Sequence, residues 1–341
     1  MANSPSANAL AHERRRERSA TLALLLATVF WGCGFTWAKV AGETVNQMTD
    51  AGPGGILGPT WVLAIRFTAA GVLWLAVFPE SRRNWSLSAL LRSLILGTLL
   101  CTGMVIQHIG LDRTTEAVSA FLTSLTILFV PLILTLAPGR LRRPPAPGVW
   151  LGVLMATFGV WLLTGATTAR LGPGEILGLL CAVSYSVDII AVNALVREGR
   201  AAPGDASRLT AGQFLTVGLL TTALCLFLPH GRRAFATPQV AQLLSVPQVG
   251  INVALLALFP SICAFGLQFR FQPRIDPTRA ALIYLVEPIF ASLYALLATG
   301  RTLAPLALGG AALILAANFM VELWPWFPRR SADEISPAVI D

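Results

Sequence analysis

A chain of 341 residues that is 55% hydrophobic and only 12% charged, with a mean hydropathy of +0.68, carries about half the ~25% charge of an ordinary soluble domain. That composition excludes a soluble globular enzyme, a disordered protein and a disulfide scaffold. The net charge of +8 does not mark a nucleic-acid surface, because the basic residues, all Arg except Lys39, fall in small groups between apolar runs. Those runs give ten candidate spans in chain order: Ser19–Ala41, Gly58–Phe78, Ser88–Ile109, Thr114–Ala137, Gly148–Gly165, Gly174–Leu195, Leu209–Leu228, Pro247–Phe271, Pro277–Thr299 and Leu303–Trp324. Runs of ~20 residues match a ~30 Å hydrocarbon core. With no water there to bond the backbone, each is expected to be helical. The connections must then be short, and the lipid bilayer is the main partner.

The first span follows Arg14, Arg15, Arg16 and Arg18, which resembles a signal peptide. Its apolar run is too long for one and no small-residue cleavage site follows, so it reads as an uncleaved helix. With the N-terminus inside, eighteen Arg fall in inner segments and five in outer ones, leaving Lys39 and Arg66 within spans. This bias places both termini in the cytoplasm.

The two halves of the chain repeat. An offset of 161 lays Gln107 on Gln268, Ala120 on Ala281, Phe129 on Phe290 and Gly139-Arg140 on Gly300-Arg301; an offset of 154 lays Trp31 on Tyr185. Five spans per half is an odd number, so the halves must lie in the membrane with opposite topology. The expected fold is therefore all-α and polytopic, ten transmembrane helices in two inverted five-helix repeats. The boundaries are a basic cytoplasmic tail at 1–18, repeats at 19–166 and 173–325, and a cytoplasmic tail at 326–341. Inverted repeats with a midplane site are the architecture of secondary transporters.

These residues resemble a known family. The segments "FWGCGFTWAKV", "LAIRFTAAG", "GMVIQHIGLDRTTEAVSAFLTSLTILFVPLI" and "FGLQFRFQPRIDPTRAALIYLVEPIFASLYALLATGRTL" are similar, in order and spacing, to the EamA-type ten-span permeases of the drug/metabolite transporter superfamily. The resemblance covers residues 19–325 and implies alternating access, with spans one to four and six to nine enclosing the cavity and spans five and ten supporting it. Family members often read Gly-Glu-Arg at the ends of spans four and nine. This chain has Gly139-Arg140 and Gly300-Arg301 without the acid.

A charge at the bilayer centre costs ~2.5–3.5 kcal/mol even on a mild scale, so four residues stand out. Glu287, near the middle of span nine, precedes Pro288, whose ring frees a carbonyl and bends the helix. It is a candidate for proton or ammonium binding at a hinge, or for a structural ion pair with Arg66 or Lys39. Arg66 presents a fork suited to a carboxylate. Asp188 lies opposite Gly34 in the repeat alignment and reads as a cavity or paired acid. Lys39, near the end of span one, snorkels to the interface or lines the cavity. Gln107, Gln268, Trp31, Trp37, Tyr185 and Tyr284 are uncharged cavity candidates, whereas His108 reads as interfacial.

The glycines at Gly32, Gly34, Gly309 and Gly310 allow close helix approach, and the last pair leaves room for a homodimer contact. Cys33, Cys101, Cys181, Cys225 and Cys263 all fall within spans without metal-site or disulfide spacing. Neither a metal nor a cofactor is expected, and without a Walker loop ATP is not the energy source. The function expected is secondary transport, with export of small polar metabolites such as amino acids across a bacterial inner membrane and coupling to protons. A drug or quaternary-amine exporter and an uptake permease are the alternatives within transport. An intramembrane enzyme would need clustered catalytic groups, yet His12, His108 and His230 are dispersed. A sensor would need a soluble domain.

Overall fold

The computed structural model describes residues 7–114, 116–137, 147–164, 172–195, 205–299 and 305–323, and among these there are helices and turns but no strand. The helices are α1 (Ala7–Met48), α2 (Leu57–Val77), α3 (Leu87–Leu111), α4 (Glu116–Ser124), α5 (Thr126–Leu136), α6 (Pro147–Thr164), α7 (Pro173–Leu195), α8 (Asp205–Phe227), α9 (Gly231–Ala234), α10 (Thr237–Ser245), α11 (Pro247–Leu256), α12 (Gly266–Phe271), α13 (Pro277–Tyr284), α14 (Glu287–Thr299) and α15 (Pro305–Leu323). A π-helical segment, Ala257–Phe265, joins α11 to α12. Among the described residues, seven helical stretches are long and apolar enough to cross a membrane: Arg15–Met48, Leu57–Val77, Leu87–Leu111, Pro173–Leu195, Asp205–Phe227, Pro247–Arg274 and Pro277–Ala298. Leu122–Leu136, Gly148–Gly159 and Leu308–Ala317 are shorter apolar helices.

Three features differ from the sequence expectation. Helix α1 continues seven residues beyond Ala41, since nothing in its extension stops a helix and the Thr44 hydroxyl bonds back to the Val40 carbonyl at 2.8 Å. The runs expected as spans four and nine are each broken in the middle. The connection after α8 is not a bare loop but carries the short helices α9 and α10. The basic groups at Arg140–Arg143 and Arg329–Arg330, and the Gly139-Arg140 and Gly300-Arg301 pairs, lie outside the described residues.

Small residues set the closest approaches. A Cβ on Gly32 would sit 2.8 Å from the Ala291 nitrogen, so α1 lies directly on α14. Helix α6 packs on α15, where a Cβ on Gly159 would meet the Gly310 carbonyl at 2.8 Å, while Gly309 has nothing within 4 Å. Aromatic rings fill the α2–α8 contact, with Phe67 5.7 Å from Phe214 and 6.0 Å from Phe265. Large apolar side chains such as Leu22, Val72, Leu219 and Phe227 point outward, as a surface facing lipid requires.

Polar networks tie the two ends. Where α2 turns to α3, buried Asp205 receives Arg92 at 2.9 Å and Arg208 at 3.1 Å. Where α1 turns to α2, Asn46 Oδ1 accepts the Gly58 N–H at 2.6 Å and Asn46 Nδ2 donates to Gly55 O and to Asp112 Oδ2. Asp112 follows the last residue of α3. Burial and the nearby Glu43 push its carboxyl up to about 7, against the pull of Lys39 and Arg113. The folded protein holds this proton more tightly than the unfolded chain, whose Asp titrates near ~3.9, so stability falls as pH rises from about 4 to about 7. Asp112→Asn keeps an acceptor for Asn46 and is expected to flatten that limb of the thermal midpoint against pH in detergent. An unchanged slope contradicts this.

Candidate functional site

A cavity with about 790 Å³ of space free of protein atoms, mouth included, lies among α1, α2, α3, α4–α5, α7, the π segment with α12, and α13–α14. Both halves of the chain contribute to it. Its charged residues are Arg66 from α2, Asp188 from α7 and Glu287 at the start of α14. Arg66 and Asp188 are each 3% exposed.

The position of Arg66 follows from a proline two helices away. Pro260 has no N–H to give the Leu256 carbonyl four residues earlier, and the chain widens there into the π segment. The Ser261 hydroxyl donates to that freed carbonyl at 3.1 Å, and its oxygen accepts Arg66 Nε–H at 2.7 Å. The guanidinium also lies 4.8 Å from the Phe67 ring. One edge of the fork is thus fixed by Ser261, and no hydrogen bond among the described residues engages its two terminal nitrogens. The Pro260 carbonyl receives the Trp31 indole N–H at 3.0 Å, and Trp31 stacks edge-on against Tyr284 with ring centroids 5.2 Å apart.

A second proline shapes the opposite wall. Pro288 cannot bond the Tyr284 carbonyl, and α13 gives way to α14 through i→i+3 bonds, Val286 N to Ile283 O at 3.2 Å and Ile289 N to Val286 O at 3.0 Å. Glu287 sits at this break. Among the described residues it makes no hydrogen bond and no ion pair. The ion pair with Arg66 or Lys39 that the sequence admitted is therefore not formed. Asp188 likewise has no cation within ion-pair distance, and its Oδ1 is buried without a partner.

The uncharged candidates behave differently. Gln107 is fully engaged, its amide donating to Thr123 Oγ1 at 3.0 Å and its carbonyl accepting the Tyr185 hydroxyl at 2.9 Å. Gly103 makes room for the Tyr185 ring, since a Cβ there would lie 2.5 Å from Tyr185 Cε1. Gln268 donates to Gln272 Oε1 at 2.9 Å, as does the Tyr284 hydroxyl at 2.7 Å, while Gln268 Oε1 has no partner.

Of the residues singled out in the sequence, Glu287, Arg66, Asp188, Gln107, Gln268, Trp31, Tyr185 and Tyr284 line this one cavity. Lys39 does not. Because α1 runs on to Met48, Lys39 lies well inside the helix, donating to the Thr114 carbonyl at 2.8 Å with Glu116 at 3.8 Å. Trp37 also turns away, its indole N–H bonding the Tyr294 hydroxyl at 2.7 Å. His108 is a correction: it is buried on the cavity, not interfacial, because it shares the inward face of α3 with Met104 and Leu111. Ser261 was missed altogether; its signal was a proline and a serine side by side within an apolar run. No cluster of three metal-ligating side chains is present among the described residues.

The described residues thus form a helical, multi-span membrane protein with a charged cavity lined by both halves of the chain. Residues 172–323 match the EamA-like transporter family. An "Uncharacterized transporter" of Archaeoglobus fulgidus is 24% identical over 306 residues, covering 89% of this chain and 86% of its own. The "Uncharacterized inner membrane transporter YedA" of Escherichia coli K12 is 24% identical over 328 residues, covering 94% and 95%. A crystal structure with 23% identity superposes with a TM-score of 0.62 over 90% of this chain and 98% of its own, which is a likeness of fold. The second part of this multi-span membrane protein is thus similar to the EamA-like transporters, in keeping with the resemblance of the whole sequence to the drug/metabolite transporter superfamily.

Ser261→Ala leaves Arg66 Nε without its hydrogen-bond acceptor in a buried site. It is expected to lower unfolding stability by ~1–3 kcal/mol, measured as the thermal midpoint in detergent. An unchanged midpoint contradicts the role assigned to Ser261.

Proposed function

We propose that this chain is a secondary transporter that exports small zwitterionic metabolites, amino acids foremost, from a bacterial cytoplasm by alternating access at the cavity. One observation carries the reading: among the described residues, a guanidinium whose two terminal nitrogens make no hydrogen bond and two carboxylates without a counter-ion line one cavity. Uncompensated buried charges are costly, and an α-amino acid supplies the missing partners, a carboxylate for Arg66 and an ammonium for Asp188 or Glu287. Lys39, outside the lining, is left as a gate residue.

Ten spans in two inverted repeats are the architecture this mechanism needs. Seven long apolar helices and three shorter ones are compatible with that number, and the backbone supports the duplication. At the break between α4 and α5, Leu125 N bonds Leu122 O at 3.2 Å and Leu128 N bonds Leu125 O at 2.9 Å. Adding 161 to these numbers gives the bonds at the Glu287 break, from Val286 and Ile289. The helix ends match as well. Lys39 Nζ donates to the Thr114 carbonyl at 2.8 Å, and Asn193 Nδ2 to the Ile275 carbonyl at 2.8 Å. Offsets of 154 and 161 relate these two bonds. They are equivalent latches on opposite ends of the bundle, each tying the first span of a repeat to the turn before its fourth. Alternating access releases one latch while the other holds.

The cytoplasmic placement of both termini rests on the Arg distribution, and the inner-membrane placement is in keeping with the name of the YedA relative. Export is the direction the family resemblance brings. Pro288 serves as the hinge of span nine, and Glu287 and Asp188 are the groups through which protons couple. In proteoliposomes a pH gradient is expected to accelerate transport by the wild-type protein. Glu287→Gln and Asp188→Asn should each diminish that acceleration, and undiminished coupling in both rules out the proton role.

A further inference from the structure

The hydrogen-bonding groups of the cavity are unevenly spent. Its donors are largely used within the protein: the Trp31 indole on Pro260 O, the Tyr185 hydroxyl on Gln107, the Tyr284 hydroxyl and Gln268 amide on Gln272. His108 Nδ1 lies 3.0 Å from the Met104 carbonyl, which can only accept, so the proton sits on Nδ1 and Nε2 of the neutral ring is an acceptor. His108 Nε2, Asp188 Oδ1 and Gln268 Oε1 are all buried without partners, and the Glu287 carboxylate adds to them. What remains for a ligand is therefore one cationic fork and a surplus of acceptors.

The formal charges are equally uneven. With both carboxylates ionised the cavity carries one positive and two negative groups. A neutral zwitterion answers Arg66 and one acid and leaves the other acid desolvated and unpaired, an arrangement that burial disfavours. A ligand of net charge +1 leaves none. The other titratable groups around the two acids are Tyr185, Tyr284, His108 and Cys181, and none of them is a cation that fills the gap.

We infer that the substrates are dibasic amino acids, compounds with one carboxylate and two cationic nitrogen groups. The carboxylate sits on the Arg66 fork, the two cations on Asp188 and Glu287, and the remaining N–H groups on Gln268 and His108. Here His108 is a specificity residue. The inference rests on the transport reading above and narrows its substrate class.

The test is counterflow in proteoliposomes with labelled arginine and lysine, set against alanine and serine, and against agmatine, which lacks the carboxylate. Arginine and lysine are expected to exchange about tenfold faster than alanine and serine, a ratio equal to ~1.4 kcal/mol, with agmatine slow. Glu287→Gln and Asp188→Asn, both near-isosteric, should narrow that ratio toward one, and His108→Phe should lower arginine exchange while sparing alanine. Equal exchange of alanine and arginine by the wild-type protein would mean that a proton, not the substrate, balances the second acid. That overturns the dibasic assignment and leaves the transporter reading standing. Exchange of no compound overturns both.

Discussion

The structure depends on one constraint: inside a bilayer, a backbone carbonyl released by a proline has no water to bond. Pro260 cannot bond the Leu256 carbonyl, so the chain widens into a π register that turns this carbonyl to residue 261, whose hydroxyl also donates to it. The same hydroxyl then holds Arg66. A local change of backbone register thus fixes the direction of the arginine that, among the described residues, is the cavity wall's guanidinium. Pro288 acts similarly on the facing side, where the change from α13 to α14 brings Glu287 to the cavity. The two prolines set the charged groups on opposing helices, close to one space but not to each other.

That separation explains why the charges are stable enough to exist and reactive enough to be useful. Had Arg66 met Glu287 directly, the pair would be an ordinary buried ion pair with nothing left for a ligand. Instead the protein spends its neutral donors on its own acceptors and keeps its carboxylates free. Stability comes from elsewhere: the aromatic packing of Phe67, Phe214 and Phe265, the close contacts at Gly32 and Gly159, and the Asp205 and Asn46 networks at the two ends. A framework tied at its ends around a loosely satisfied middle is suited to rocking.

Much of this was legible in the residues. Apolar runs located the helices because burying them needs no further information, and Arg66, Asp188 and Glu287 stood out because charge in such runs is expensive. The breaks at Leu125 and Leu285–Val286 were hidden, since both sides of each break are equally apolar. Depth was hard to judge as well. Lys39 read as near a helix end only because the end of α1 was placed too early, and His108 because α3 was expected to stop at Ile109. Ser261 was invisible for a different reason: a serine among apolar residues is unremarkable until the proline beside it is seen to free a carbonyl. The offsets behind the proposed repeat were readable in the sequence, but the parallel between the Lys39–Thr114 and Asn193–Ile275 bonds needed coordinates, since lysine and asparagine share no pattern.

The central claim is that the cavity is a substrate site reached alternately from the two ends. It is tested most directly by placing a single cysteine at Ala38, on the cavity wall, in a cysteine-free background, and measuring its labelling by an impermeant thiol reagent from each side of the membrane. The account predicts that transported substrate protects the site, that Lys39→Met increases labelling from the periplasmic side, and that Asn193→Leu increases it from the cytoplasmic side. Labelling that rises from the same side in both variants, or that substrate does not reduce, would contradict it.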